Sequence, residues 1–455
     1  MERYQFSLDQ LKTVETCDVL IAGGGTAGAV AGISAARQGA DTLIVEQYGA
    51  LGGSQTLALV TPVMHTHIEG DPQSSAIAEE IRERMQKAGA AIEGDSEKGF
   101  FDTLTLKCVL EDMVNESGCR VLYHSAIIGA IKENERITHG VVFNSAGVCA
   151  IAARMFVDAT ADGALSVLSG AKYQSGNERG YNQAVSLRYI MEGVDSEAFE
   201  KYNIELGDKN QRGYPLLHAA SDGSPRWKLN SVFRKAYEDG LLTLQDIKYF
   251  QCFSLPGRRW AIAFNCPELG AHTNVLDPGF MTNRQMEGKR AIRRLARFLK
   301  ERVPGFENAY VSEIAPMLGV RESRRIECEY MLTGSDVAGY RKFDDYIASS
   351  NYPVDIHDAG DDKLVYAEAP AGEKYYHIPM RSLVAKGIDN LFVAGRCLGA
   401  DFVAQSSARV QASCRAMGEA AGIAAAIAVS SGVAARDVGG ADVREIMLKR
   451  GARFT

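Results

Sequence analysis

The sequence predicts an α/β fold in which a Rossmann-like domain is assembled from both ends of the chain and an α+β domain is inserted between them. Residues 17–47 alternate an apolar strand, a glycine-rich turn, an Ala-rich helix and a second apolar strand, which is the pattern of a βαβ unit. Near the other end, the apolar strand NLFVAG (390–395) ends in glycine and precedes a helix of small residues from about 407 to 429. We therefore assign residues 1–170 and 363–455 to one domain and residues 171–362 to the inserted domain.

Length, composition and charge exclude several classes of protein. The chain has 455 residues, of which 46% are hydrophobic and 24% charged, so it is a folded protein with more than one structural unit. Its 50 basic and 57 acidic residues give a net charge of -7, and no basic run favours a nucleic acid or an anionic membrane as partner. A small-molecule substrate is expected instead, and the sequence leaves a homo-oligomer open.

The cysteines and the N-terminus indicate a cytoplasmic protein. The nine cysteines are scattered and never form a C-x-x-C pair, which disfavours a disulfide scaffold, a zinc knuckle and a dithiol redox centre. The N-terminal stretch carries charges and no apolar run before a cleavage site, so no signal peptide is predicted. The run AGIAAAIAV near residue 425 is far shorter than the roughly 20 residues of a membrane-spanning helix, and we expect a buried helix there.

A glycine fingerprint inside the βαβ unit indicates a dinucleotide site. Gly23, Gly25 and Gly28 satisfy G-x-G-x-x-G between the first strand and the helix. The first glycine permits a tight turn, the second lets a pyrophosphate approach the helix N-terminus, and the third lets helix and strand pack closely. Glu46 ends the second strand, where an acidic side chain binds ribose hydroxyls and repels a 2′-phosphate.

The remaining elements follow from apolar patterning and turn residues. Helices are predicted around 75–90, 104–117, 231–239 and 283–302, and strands at 120–124, 126–133, 137–144, 147–160 and 258–265. The four strands between residues 120 and 160 are separated by short turns and are predicted to form a meander. No second G-x-G-x-x-G occurs, which counts against a reductase with its own NAD(P)H domain.

Four segments together resemble a known family. They are GGGTAGAVAGISAARQGADTLIVEQ with the following GALGG (23–53), FVDATADGALSVLSGA (156–171), GVRESRRIECEYML (319–332) and IPMRSLVAKGIDNLFVAGRCLGADFVAQSSARVQASCRAMGEAAGIAAA (378–426). These segments resemble a bacterial family of FAD-dependent oxidoreductases, with the fold shared by glutathione reductase and fumarate reductase flavoprotein subunits. The resemblance runs from about residue 17 to 430. It implies a Rossmann-like FAD-binding domain of the glutathione reductase type.

The same resemblance implies an extended, noncovalently bound FAD. Its cofactor-binding residues would be Gly23, Gly25 and Gly28 at the pyrophosphate, Glu46 and Gln47 at the adenosine ribose, Gly52, Gly53 and Ser54 beneath the pyrophosphate and ribityl chain, Ile127, Thr160 and Asp162 near the adenosine, and Gly395, Asp401, Arg409 and Val410 around the flavin. A helix beginning near Ser407 would point its N-terminus at the N1–C2=O edge of the ring. For Arg409, an ion pair on a helix surface is an equally good interpretation.

Candidates for proton transfer and substrate binding lie outside the FAD site. His377 is the first candidate for a general acid or base, with a structural histidine as the alternative, and its neighbour Tyr376 is predicted to point to the opposite face of the strand. Arg324, together with Arg321, could clamp a carboxylate or else join the two domains. His65 in TPVMHTH is a further catalytic candidate, with a solvent-exposed histidine in a loop as the alternative. No third ligand accompanies this H-x-H pair, so no metal site is predicted.

The predicted function is that of an FAD-dependent enzyme that transfers a hydride between a small organic substrate and the flavin. An NAD-dependent dehydrogenase is an alternative that explains only the first 50 residues. A flavin-binding electron-transfer or sensor protein without turnover of its own is another. A roomy polar pocket above the flavin would favour the enzyme, and a packed one would favour the sensor.

Overall fold

The structure is a computed structural model that describes residues 11–64, 67–68, 71–72, 75–93, 98–209, 211–357 and 373–454. The first part of the chain forms β1 (Thr13–Ala22), α1 (Thr26–Arg37), β2 (Thr42–Val45), β3 (Pro62–Met64), β4 (His67–Ile68), β5 (Asp71–Pro72), α2 (Ala76–Lys87), β6 (Ala91–Glu93), β7 (Lys98–Phe101), α3 (Thr103–Ser117), β8 (Arg120–Leu122), β9 (Ala126–Glu133), β10 (Arg136–Asn144), β11 (Gly147–Asp158) and α4 (Ala164–Leu168).

The middle of the chain forms β12 (Tyr173–Ser175), β13 (Tyr189–Glu192), α5 (Ser196–Glu205), β14 (His218–Ser221), α6 (Asn230–Glu238), α7 (Leu244–Lys248), β15 (Phe250–Leu255), β16 (Arg258–Phe264), α8 (Pro278–Arg302), β17 (Tyr310–Ile314), β18 (Arg324–Ile326), α9 (Gly334–Ala338) and β19 (Tyr346–Ser350). The last part forms β20 (Tyr376–Pro379), β21 (Leu391–Val393), α10 (Phe402–Ala408), α11 (Gln411–Ser431) and α12 (Gly440–Lys449).

A seven-stranded sheet joins the two ends of the chain. Its parallel strands run in the order β8-β2-β1-β11-β21, and β10 and β9 continue it as antiparallel strands beside the first half of β11. The Rossmann-like core is therefore confirmed. The strand predicted at 120–124 does not open the meander but pairs parallel with β2, because the preceding α3 carries the chain back to the start of the sheet. Apolar patterning reveals a buried strand without revealing its direction.

Helices α1 and α11 pack backbone against backbone, and this contact explains their small residues. A Cβ on Gly418 would overlap the carbonyl oxygen of Ala27, and a Cβ on Gly422 would overlap that of Ala31. The single helix predicted at 407–429 is two helices, because the chain breaks at Arg409 between α10 and α11. Helix α11 is long and apolar enough to cross a membrane, but most of it is buried within the protein, as in an ordinary core helix.

A second hydrophobic core is built on the five-stranded antiparallel sheet β14-β15-β16-β13-β17 and on α5, α6 and α8. Apart from Leu59, its residues lie between Val185 and Leu318. The segment from β18 to β19, which we predicted to belong to the inserted domain, packs in the cores around the parallel sheet instead. Strand β19 pairs with β20, and their pairing carries this segment to the C-terminal part of the chain.

Candidate functional site

The turn between β1 and α1 contains two glycines that the protein itself requires. Gly23 has a φ of +89°, and a Cβ there would lie 2.8 Å from the carbonyl oxygen of Ala159. A Cβ on Gly28 would overlap the carbonyl oxygen of Gly23. Both positions therefore exclude any side chain for reasons of packing and backbone conformation.

Gly25 is different, because the protein leaves room beside it. Its φ is −68°, and the nearest atoms to an added Cβ are the oxygen of Ala159 and the Cα of Gly53, both 3.9 Å away. No side chain caps the N-terminus of α1, which begins at the next residue. The open space at an uncapped helix N-terminus fits a pyrophosphate group.

The predicted residues 52–54 lie directly against this turn. The N–H of Gly52 donates to the carbonyl oxygen of Gly24 at 2.9 Å, and the hydroxyl of Thr26 donates to the carbonyl oxygen of Gly52 at 3.1 Å. The hydroxyl oxygens of Thr26 and Ser54 are 3.1 Å apart, and a Cβ on Gly53 would lie 2.8 Å from the Cα of Gly25. We call residues 23–26 and 52–54 the glycine cradle.

Glu46 stands at the end of β2 with its carboxylate held by the backbone. One oxygen accepts the N–H of Gly24 at 2.6 Å, and the other accepts the N–H of Tyr48 at 2.9 Å. Burial raises the pKa of Glu46, and these two hydrogen bonds oppose that rise. Each oxygen keeps a lone pair for a ribose hydroxyl. Gln47 beside it is exposed.

The residues predicted near the adenosine serve mainly internal contacts. Ile127 lies on β9, opposite Val142 of β10. The hydroxyl of Thr160 donates to Asp158 at 2.7 Å and accepts the N–H at the start of α4. Asp162 accepts hydrogen bonds from Ser323 at 2.7 Å and from Arg396 at 2.5 Å. Their roles toward the cofactor stay predictions.

The residues predicted around the flavin surround the break between α10 and α11. Gly395 has a φ of +91°, and a Cβ added to it would lie 3.4 Å from the side chain of Ala27. Asp401 caps α10 by accepting the N–H of Ala404 at 2.7 Å, and its other oxygen accepts the N–H of Gly334 at 2.8 Å. Val410 precedes α11, whose N-terminus has no side-chain cap. This free helix end begins at Gln411, later than predicted.

A cluster of buried charges lies where the second core meets this helix break. His357 links two carboxylates, since its Nδ1 lies 2.9 Å from Glu268 and its Nε2 lies 3.2 Å from Asp355. Each carboxylate also faces an arginine: Arg321 is 3.4 Å from Glu268, and Arg409 is 3.2 Å from Asp355. We call these five residues the His357 cluster. Arg409 thus belongs to an ion pair, but a largely buried one.

Hydrogen bonds hold the chain around His357 against α10. The N–H of Asp355 donates to the hydroxyl of Ser406 at 3.3 Å, and the hydroxyl of Ser407 donates to the carbonyl oxygen of Tyr352. The hydroxyl of Tyr352 donates to the Asp355 carboxylate at 2.9 Å. The cluster is thereby fixed to the helix break that the family resemblance places at the flavin.

The charges of the cluster stabilise one another. Burial alone raises the pKa of Asp355, but His357, Arg409 and Arg321 outweigh it and hold the pKa of Asp355 below its usual value. Burial likewise raises the pKa of Glu268, and the hydrogen bond with His357 and the charge of Arg321 reverse that effect. Both carboxylates are therefore ionised at neutral pH.

A second polar group extends the cluster into the inserted domain. The Nε of Arg188 donates to Asn265 at 2.6 Å, and the amide of Asn265 donates to the hydroxyl of Tyr249 at 2.9 Å. The ring of Tyr249 meets the ring of His357 edge to face at 5.4 Å. Burial lowers the pKa of Arg188 to about 9, and the positive charges of Arg321 and Arg409 contribute.

The structure does not bring the predicted catalytic residues to this cluster. His377 is buried on the other face of β20, where its Nδ1 accepts the N–H of Phe343 at 3.1 Å and its ring stacks on Tyr346. Its neighbour Tyr376 does point to the opposite face, as predicted, and its hydroxyl lies 2.7 Å from that of Ser407. The strand alternation therefore turns the tyrosine, rather than the histidine, toward α10.

Arg324 is also placed elsewhere, and His65 lies outside the described residues. The guanidinium of Arg324 lies 5.3 Å from the ring centre of Tyr173, a largely exposed side chain. Arg321, three residues before Arg324, is the arginine that reaches the cluster. Sequence reasoning missed His357, Asp355 and Arg188 because each sits in a stretch without a recognisable motif.

One surface pocket of about 470 Å³ lies beside the second core, between α7 and α8. Its lining includes Asp246 and Arg294, which form an ion pair at 2.8 Å, and Glu268 is the one cluster residue that borders it. Asp246 also closes a capping box with Thr243 at the start of α7. Because Asp246, Arg294 and Glu268 are already paired, we place no substrate in this pocket.

The parallel sheet, the glycine cradle and the free helix ends define a dinucleotide-binding α/β protein. The chain belongs to the family of FAD-dependent oxidoreductases, whose model matches residues 18–447. Its cofactor is accordingly FAD, and the open space at Gly25 fits the pyrophosphate of this cofactor. No curated protein sequence matches the chain.

Several solved structures resemble the chain over most of its length. A geranylgeranyl bacteriochlorophyll reductase-like protein from Thermoplasma acidophilum is 14% identical with a TM-score of 0.47, over 96% of this chain and 83% of that one. The p-nitrophenol 4-monooxygenase of Pseudomonas putida DLL-E4 is 10% identical with a TM-score of 0.48, over 96% and 87%. The flavin-dependent brominase Bmp2 is 12% identical with a TM-score of 0.46, over 95% and 83%.

Proposed function

We propose that this oxidoreductase transfers a hydride between a small organic substrate and noncovalently bound FAD, and that His357 moves the accompanying proton. The observation that carries the proposal is the buried His357 cluster at the break between α10 and α11. A histidine held between two ionised carboxylates is a costly arrangement for a protein core, and such arrangements concentrate at active sites.

The glycine cradle would hold the pyrophosphate of FAD, and Glu46 would bind the adenosine ribose. The N-terminus of α11, after Val410, would face the pyrimidine edge of the flavin, where a helix dipole stabilises negative charge. The meander β9–β10 beside the parallel sheet supports a domain of the glutathione reductase type. We further propose a cytoplasmic location.

FAD, when bound, supplies the hydride acceptor or donor at its N5 atom. A residue of the protein must then donate one proton to the substrate or accept one from it. Both ring nitrogens of His357 face a carboxylate oxygen, and only the protonated imidazole can donate to both. His357 would deliver a proton to the substrate from one of these nitrogens during substrate reduction, after the hydrogen bond from that nitrogen to its carboxylate has broken, and it would take a proton back at the same nitrogen during oxidation. The carboxylate at the other nitrogen would hold the ring in place.

Anaerobic reduction of the FAD-loaded protein tests the proposal. Candidate polyols, hydroxy acids and reduced nicotinamides are added, and bleaching of the flavin absorbance identifies the electron donor. With that donor, His357→Gln is expected to slow flavin reduction by about 10²- to 10⁴-fold at unchanged FAD content, because a positioned acid or base contributes that much.

His377→Gln is the matched control, because His377 is a buried histidine outside the cluster. It should reduce at the wild-type rate when fully loaded with FAD. Equal slowing of both variants, or normal reduction of His357→Gln, would contradict the role of His357. Absence of flavin reduction by every donor class would contradict the proposed hydride transfer.

A further inference from the structure

Three side chains of the inserted domain converge at one end of its sheet. Arg188 immediately precedes β13, Tyr249 immediately precedes β15, and Asn265 immediately follows β16. Since β16 runs antiparallel to both β13 and β15, these three positions lie at the same end of the sheet. This end of the sheet faces the His357 cluster, as the contact between the rings of Tyr249 and His357 shows.

The hydrogen bonds among these residues leave donors available. Arg188 uses its Nε for Asn265, and its two terminal nitrogens have no partner among the described residues. Tyr249 accepts from the Asn265 amide, so its own proton stays free, and no acceptor for it occurs within the described part of the chain. Arg188 and Tyr249 are each partly accessible to solvent.

The charges around Arg188 do not balance. Arg321 is paired with Glu268, and Arg409 is paired with Asp355. In the described residues Arg188 has no carboxylate, so three arginines face two acids and leave one positive charge before any proton on His357 is counted. An unpaired guanidinium in such surroundings is costly unless an anion completes it. The lowered pKa of Arg188 is consistent with that cost.

We infer that Arg188 and Tyr249 bind a carboxylate group of the substrate. That the bound carboxylate belongs to the substrate rests on the proposed function. A planar carboxylate can accept two hydrogen bonds from the terminal nitrogens of a guanidinium. The hydroxyl of Tyr249 supplies a further donor, and Asn265 fixes both side chains. The carboxylate would thereby orient the reacting carbon toward His357.

Equilibrium binding to the FAD-loaded protein tests the inference without turnover. Benzoate, glycolate and succinate are each compared with benzamide, glycolamide and succinamide, and inorganic phosphate is tested separately. Binding is followed by perturbation of the visible flavin spectrum and by the rise in melting temperature. We expect the carboxylates to bind at least tenfold more tightly than their amides, because only they neutralise Arg188.

Variants assign this preference to named residues. Arg188→Gln is expected to weaken carboxylate binding by about 10- to 100-fold and to abolish the preference over amides, as loss of a charged hydrogen bond does. Arg188→Lys should weaken it by roughly tenfold, because the charge stays but the planar fork is lost. Tyr249→Phe should weaken it by about 3- to 10-fold. Arg324→Gln, which removes an arginine outside the cluster, should change nothing.

The melting temperature separates recognition from a structural role. Removing an uncompensated charge should leave the melting temperature of ligand-free Arg188→Gln unchanged or raise it. A lower melting temperature together with normal carboxylate binding would overturn the inference. If Arg188→Gln does not fold, Arg188→Lys and Tyr249→Phe decide the matter.

Several outcomes contradict the inference and leave the proposed function standing. These are equal binding of carboxylates and amides, binding of phosphate alone, no spectral change with any carboxylate, and normal binding by Arg188→Gln, each combined with flavin reduction by a neutral donor. Conversely, carboxylate binding that depends on Arg188 in a protein whose flavin no donor reduces would support the anion site and reject hydride transfer.

Discussion

The glycine cradle and the His357 cluster are built in different ways. The cradle is made of backbone, and all of it comes from residues 23–54 of the chain. The cluster is made of charged side chains, and its members come from positions as far apart as Glu268 and Arg409. A backbone site depends on the absence of side chains, whereas a side-chain site depends on the balance of several charges.

This difference predicts how each region fails. Substitution in the cradle should act through steric overlap, either with the protein or with the cofactor. Substitution in the cluster should act through an unpaired charge, and its effect should vary with pH. Substitutions in both regions test that division.

Gly28→Ala should break the cradle from inside. The added Cβ would overlap the carbonyl oxygen of Gly23, and neither backbone segment can move without separating α1 from β1. We expect a loss of about 3 kcal/mol or more in the free energy of unfolding, or failure to accumulate as soluble protein. Urea denaturation of the apoprotein measures it, and a melting curve like that of wild type would contradict the packing described.

Asp355→Asn should be the most damaging change in the cluster. It leaves Arg409 and His357 facing a neutral amide in buried surroundings, and breaking such a pair costs about 3 kcal/mol. Asp345→Asn, which removes the partner of the exposed Arg381, is the matched control and should cost less than about 1 kcal/mol.

The same variant carries a pH signature. The pKa of Asp355 is lower in the folded protein than in the unfolded chain, so its ionised form stabilises the fold above about pH 4. That contribution is lost as the pH falls through the folded-state pKa. The difference in stability between wild type and Asp355→Asn should therefore be constant near neutral pH and shrink below about pH 4. A difference independent of pH would show that the carboxylate is not the cause.

Gly25→Ala should produce the smallest change and the sharpest contrast with Gly28→Ala. The protein has room for this methyl group, so the apoprotein should keep its melting temperature. The methyl group would occupy space at the pyrophosphate, and we expect FAD affinity to fall by about tenfold. Reconstitution of apoprotein with FAD, followed by flavin fluorescence, measures this loss. Unchanged affinity would mean that the pyrophosphate does not approach Gly25.

How much the sequence revealed depended on how local each signal was. The strand, turn and helix around Gly23 were predictable because the glycine spacing and the apolar runs lie within one βαβ unit. The meander was only partly correct, since the strand at 120–124 belongs to the parallel sheet. Apolar patterning measures burial, and burial does not record which neighbour a strand will pair with.

The candidate histidines for proton transfer illustrate the same limit. The sequence favours His377 because it adjoins a recognisable motif, yet strand alternation turns Tyr376 toward α10 and His377 toward Tyr346. Arg321 and Arg324 lie in the same motif, and only Arg321 reaches Glu268. Adjacent residues share their sequence context but not their direction, so the motif identified the region and not the side chain.

The sequence by itself determined the family, the cofactor and the glycine cradle. A site made of backbone depends on glycines at fixed spacing within a short segment, and that spacing can be read directly from the chain. Only the tertiary structure decided that His357, Arg188 and Tyr249 converge beside the break between α10 and α11. Their positions are set by the pairing of distant strands and by the packing of two cores against each other. Such long-range contacts leave no periodic trace in the chain, since each contributing residue is a single polar position in an otherwise ordinary stretch.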